Sequence, residues 1–140
     1  LSNFFAVRDE IAEKLKEISA FKQIYTPLNS VKVTEMSQVT PAAHVNFQRI
    51  TKVDSSGNSK VNMLGIRWAV TVACRNAQSQ MTNGNVVTDE AGELLEEVIE
   101  LLSGWQSPSS VRPLDLIDVR EGFSTGFAYL TAIFESKKFI

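Results

Sequence analysis

One cysteine and one histidine, Cys74 and His44, are all that this 140-residue chain offers for disulfide or soft-metal chemistry. An internal disulfide is excluded, and a structural zinc site would need ligands from a second chain. Neither sign of charge dominates. Fourteen lysines and arginines face 16 aspartates and glutamates, for a net charge of −2, which argues against a dedicated nucleic-acid binder with its basic stripe. Long apolar runs are missing too: Met63 to Cys74 is broken by Arg67 and Thr71, well short of the ~18 residues of a membrane helix. No membrane partner is expected. The chain passes from Leu1–Phe5 into a charged amphipathic segment, without the basic cap, apolar run and cleavage site of a secretory leader, so assembly inside a cell is the expectation. No repeat, low-complexity tract or linker divides the chain. What is present is a 44% hydrophobic composition, enough for one domain over 1–140 that buries roughly two thirds of its unfolded surface.

Apolar residues at Phe4, Val7, Ile11, Leu15 and Ile18 fall at the three-and-four spacing of one helical stripe, which predicts a helix over Asn3–Ile18. Tyr25–Ser30 has turn chemistry, and Val31–Glu35 alternates as a short strand. From Pro41, Ala43, Val45 and Phe47 alternate with His44, Asn46 and Gln48, leaving a polar face that is wet or covered by another protein. Asp54–Ser59 is a turn cluster, and Val61–Arg75 reads as the long return strand of a hairpin, with Ile66, Trp68, Val70, Val72 and Cys74 on one face. Fifteen extended residues span about 50 Å, so either the strand bends at a bulge near Gly65 or the hairpin tip projects. Asn76–Asn85 is a polar loop.

A second helix runs from Val86 towards Trp105 and stops at Gly104. It carries Asp89, Glu90, Glu93, Glu96, Glu97 and Glu100 with no lysine or arginine, leaving the rest of the chain net positive. Like charges four apart cost a few tenths of a kcal/mol each, so this face is either simply solvated or meets basic side chains of another subunit. After the loop Ser107–Ser110, Leu114–Val119 and Phe127–Phe134 read as strands, the latter apolar on both faces and therefore central. The resulting order, α-β-β-β-α-β-β, defines an α+β domain: a mostly antiparallel sheet with two amphipathic helices on it and a projecting hairpin.

Little in the chain resembles catalytic machinery. Gly122-Phe123-Ser124-Thr125-Gly126 fits the G-x-S-x-G spacing, but a strand follows where the nucleophile elbow needs a helix, and His44 precedes it. Ser19-Ala20-Phe21-Lys22 has the S-x-x-K spacing without the accompanying elements. His44 fits a hydrogen-bonded sheet residue better than a general base, Cys74 a buried inert thiol, and Trp68 and Trp105 core residues. No cofactor or metal is expected: no phosphate-cradling glycine loop occurs, and Asp115 and Asp118 point to opposite faces of their strand. A protein that works by shape and contact is the first reading; a small ligand-binding or hydrolytic domain using Ser124 and His44 is the rival.

Several segments in order resemble the tail terminator proteins of Mu-like tailed bacteriophages. They are Tyr25-Thr26-Pro27, Ser37–Val45, Arg67–Asn76, Glu90–Leu95, Leu102-Ser103-Gly104-Trp105 and Gly122–Tyr129 through Phe134-Glu135. The resemblance implies a non-enzymatic virion component at the neck, assembled in the host cytoplasm as a ring of about six subunits. Such a ring ends growth of the tail tube and presents the surface for head joining. Its partners would be copies of itself, the tube protein, a head-completion protein and, in a contractile tail, the sheath, with the genome passing through without sequence-specific contact. Under this resemblance the hairpin around Asp54, Ser55, Ser56, Gly57 and Asn58 and the loops Asn76–Asn85 and Ser107–Arg112 become contact candidates. We add that Glu93 and Glu97 of the acidic helix are placed to meet Arg67, Arg75, Arg112 or Arg120 of a neighbour.

Overall fold

The computed structural model describes residues 3–27, 37–75, 85–124 and 126–140. The expected strand over 31–35 and the loop over 76–84 lie outside the described residues. The elements are α1 (Ala6–Leu15), β1 (Gln23–Tyr25), β2 (Ala42–Ser55), β3 (Asn62–Arg75), α2 (Asn85–Leu102), β4 (Asp115–Ser124) and β5 (Phe127–Phe139). The strands form one sheet in the order β1-β2-β3-β5-β4, antiparallel except for the β1–β2 pair. The α+β class read from the sequence is the observed one.

The core lies between the sheet and the two helices. Ile66, Trp68, Val70, Val72 and Cys74 of β3 are all buried on the helix side, as their alternation predicts. They meet Val7, Ile11 and Leu15 of α1 and Ala91, Leu94, Leu95, Val98 and Leu102 of α2. α1 lies over β1 and β2, and α2 over β3 and β5. α1 is shorter than its apolar stripe: Phe4, Phe5 and Ile18 still join the core, but from turns at either end, where Ala6 N–H donates to Asn3 O and Ile18 N–H to Leu15 O. α2 ends where expected. Gly104 adopts φ +76°, and its N–H leaves the helix to donate to Leu114 O at 2.9 Å.

Five expectations need correction. β4 runs past Val119 to Ser124, because Arg120–Ser124 pair with Phe127–Thr131 of β5 instead of forming a connection. Tyr25 belongs to a strand, β1, rather than to a turn; three residues are too few to show a period, and what fixes them is parallel pairing with Ala42–His44. Asp54 and Ser55 close β2 rather than lying in the turn. The long hairpin bends at bulges on β2, between Phe47 and Arg49 and between Lys52 and Asp54, and not at Gly65. β5 runs past Phe134 to Phe139, pairing with β3 as far as Met63, so that only the tip over 56–61 passes beyond the sheet. Asn62 and Ile140 seal that end with reciprocal backbone hydrogen bonds of 2.7 and 2.8 Å.

Gly65 has a different task. A Cβ there would stand 2.7 Å from Glu135 Cδ, on the face of the sheet away from the helices. The Glu135 carboxylate accepts from Arg67 Nε at 3.1 Å and from Lys137 Nζ, and its side chain is only 8% exposed. Burial favours the neutral form of Lys137; Asp115 opposes this, but Arg67 and Arg112 add to it, and the ammonium pKa stays below its ordinary value.

Candidate assembly surfaces

The hairpin tip is a built turn. Ser56 N–H donates to Val61 O at 2.8 Å, and Asn58 Oδ1 accepts from Ser56 Oγ at 2.7 Å and from Lys60 N–H at 3.1 Å. The left-handed residue is Ser59, at φ 60°, rather than Gly57, with Ser59 N–H donating to Ser56 O. Asp54 Oδ1 accepts from Ser55 N–H at 2.8 Å. Asp54, Ser56, Gly57 and Asn58 are exposed and Ser55 partly so, which presents a stiff polar turn at the far end of the sheet.

Asp89, Glu90, Glu93, Glu96, Glu97 and Glu100 of α2 are all exposed, and no ion pair among the described residues involves them. The arginines weighed against this helix differ in availability. Arg67 is half-buried and bound to Glu135. Arg120 pairs with Asp118 at 3.1 Å, and that hydrogen bond, with one from Val119 N–H, holds the Asp118 carboxyl below its ordinary pKa. Arg75 is exposed with its guanidinium 5.5 Å from the Phe127 ring centre, and Arg112 is exposed on the loop before β4.

The residues of the rival catalytic reading do not meet. His44 sits on β2 and Ser124 at the exposed end of β4, with β3 and β5 between them, which alone separates them by about 14 Å. Ser124 pairs with Phe127 across a tight connection in which Gly126 takes φ +83°; the glycine serves the turn. His44 stacks on Tyr25 with ring centres 4.9 Å apart, and its Nε2 lies 2.9 Å from Gln38 Oε1. Gln38 Nε2 donates in turn to the Tyr129 hydroxyl, and Val39 N–H to the Tyr25 hydroxyl. The polar face of β2 is thus covered here by residues 37–39 of the same chain. Cys74 is buried, and burial together with the Glu90 carboxylate pushes its thiol up to about 12, leaving almost no thiolate to react.

A clamp that the sequence pattern does not reveal joins α1 to the loop after α2. Glu10 accepts from the Ser107 and Ser109 hydroxyls and from Ser109 N–H at 2.9 Å. Burial opposes its ionisation, but these hydrogen bonds outweigh it and hold the carboxyl below the ordinary glutamate pKa. A depressed carboxyl pKa adds stability above the unfolded-state value and loses it as pH falls through the folded one. For His44, burial lowers the pKa, so the unfolded chain takes up that proton first and stability falls below about pH 6.5. Acid is therefore expected to act in two windows. Thermal melts should show His44→Gln flattening the slope just below about pH 6.5, and Glu10→Ala costing about 1–3 kcal/mol at neutral pH and less once Glu10 is protonated in both states.

Among the described residues, no three His, Cys, Asp or Glu side chains are grouped to hold a metal ion, and no helix is long and apolar enough to cross a membrane. The chemistry on display is that of contact: a stiff projecting turn, an unpaired acidic helix face and exposed arginines. These are surfaces on which one protein can meet another. The model of the family described as phage tail terminator protein matches residues 1–140, and the chain belongs to that family. It is a structural protein of the phage tail. A solved chain in the virion of a native gene transfer agent particle shares its fold, with a TM-score of 0.58 at 10% identity, over 93% of this chain and 92% of that one. No curated protein matches the sequence.

Proposed function

We propose that the protein forms a ring of about six subunits at the neck end of the tail tube, stops tube polymerisation there and offers its other side for head joining. The observation that carries this reading is the family match over all 140 residues; the likeness of fold to a chain in a virion particle is consistent with it. The tube protein and a head-completion protein are the partners, with sheath added in a contractile tail, and assembly takes place in the host cytoplasm. Contacts between subunits and to the tube draw on the turn Asp54–Asn58, on Glu93 and Glu97, and on Arg75 and Arg112, with Arg67 held back by Glu135. Light scattering with negative-stain imaging, with and without tube protein, tests the reading. Rings that cap tube ends are the expected result. Long stacks of the protein alone would make it a tube component, and a strict monomer that leaves tube ends growing would overturn the reading.

A further inference from the structure

Most of the large apolar side chains left exposed gather in two places. At the hairpin end, Val61, Met63 and Phe139 line a groove of about 260 Å³ with Asp54, and Met63 continues into a second groove of about 500 Å³ that it shares with Val53, Asp115 and the paired Glu135 and Lys137. Val53, Val61 and Phe139 are each about half exposed. Arg49, Lys52 and Lys60 stand on the same hairpin against a single acid, Asp54. The second place is β4, where Ile117, Val119 and Phe123 are exposed, the last to 58%. No helix packs over that strand as α2 packs over β3 and β5. Its charge has the opposite sign: Asp118 and Glu121 outnumber Arg120, which Asp118 already binds.

The first patch lies at the end of the sheet, where β2, β3 and β5 meet the hairpin tip, and the second along the β4 border. β4 is one border, and among the described residues the distal half of β2, which carries Val53, is the other. A two-fold contact centred on either patch would set basic hairpin against basic hairpin, or acidic strand against acidic strand. A head-to-tail contact joins apolar to apolar with opposite charges around them, and repeats until it closes. We infer that the hairpin end of one copy docks on the β4 edge of the next. This rests on the ring reading above and names the surface that builds the ring.

Disulfide trapping tests it in the full chain, because the native cysteine, Cys74, is buried. The double variant Val61→Cys/Val119→Cys should give, on oxidation, a ladder of cross-linked chains ending at the ring's subunit number, and either single variant should give no dimer. In parallel, Lys52→Glu/Lys60→Glu should reduce the wild-type ring to monomer, and combining it with Asp118→Lys/Glu121→Lys should restore the ring. Wild-type protein that stays monomeric even with tube protein removes the ring reading and this inference with it. Wild-type rings with no ladder, or with dimers from a single-cysteine variant, overturn this inference alone.

Discussion

Trp68→Ala is expected to cost about 3–5 kcal/mol, a large share of the ~5–15 kcal/mol that holds a domain together. Trp68 is fully buried at the middle of β3, with Phe134 beside it on β5 and Phe47 on β2. Phe5 and Phe47 meet its ring edge-on, at 6.3 and 5.9 Å between centres. Its Nε1–H donates to the buried Ser136 hydroxyl at 2.9 Å. Truncation would therefore empty the space beneath the start of α1 and also strip a buried hydroxyl of a partner, two costs that add. Trp68→Phe separates them: it keeps most of the volume and loses the hydrogen bond, and should cost about 1–2 kcal/mol. Urea denaturation reads both numbers. Trp105→Ala is the control, since Trp105 packs only partly buried at the rim of the core. Equal losses for Trp68→Ala and Trp105→Ala would show that the core is not centred where the sheet places it.

The same tryptophan shows why so much of the fold is legible in the sequence. A strand with one buried face must repeat every two residues, and β3 does so from Ile66 to Val72, beyond which Ala73 is buried as well; α2 likewise shows its buried stripe and its acidic face at once. Legibility fails where tertiary pairing overrides local pattern. β1 is three residues long and exists because β2 lies beside it. The last residues of β5, Glu135-Ser136-Lys137-Lys138, lie beyond the strand expected over Phe127–Phe134, yet β3 pairs with each of them. The Glu10 clamp links residues about a hundred positions apart, a separation that no periodicity reports. For the assembly surfaces, the turn at Asp54–Asn58 and the acidic helix were visible as composition. The exposed Val53, Val61, Val119 and Phe123 were not, because an apolar residue in a strand pattern looks like core until a sheet edge leaves it uncovered.

Gly65→Ala should change sign with its neighbour. In the native chain a methyl group at Gly65 would sit 2.7 Å from Glu135 Cδ and 2.9 Å from both carboxylate oxygens. A carboxylate at the end of a glutamate normally swings aside, but this one is buried and held by Arg67 and Lys137. The substitution therefore either strains the backbone or breaks the ion pairs, and should cost about 1–3 kcal/mol. Removing the obstacle removes the cost. In a Glu135→Ala background, itself destabilised because Arg67 and Lys137 lose their shared anion, the extra methyl at Gly65 no longer meets the carboxylate. Alanine is then preferred to glycine in a strand by roughly 0.5–1 kcal/mol. A double-mutant cycle by urea denaturation should give a coupling of about 2 kcal/mol between positions 65 and 135. A Gly65→Ala loss of the same size in both backgrounds would instead mean that glycine is needed there for its backbone, leaving Glu135 without a role in the choice. The inversion also bears on the hairpin. Arg67 and Thr51 flank this point through the sheet register, so the Glu135 anchor fixes the strand just before the hairpin extends towards Val61, and loosening it should weaken the proposed ring along with stability.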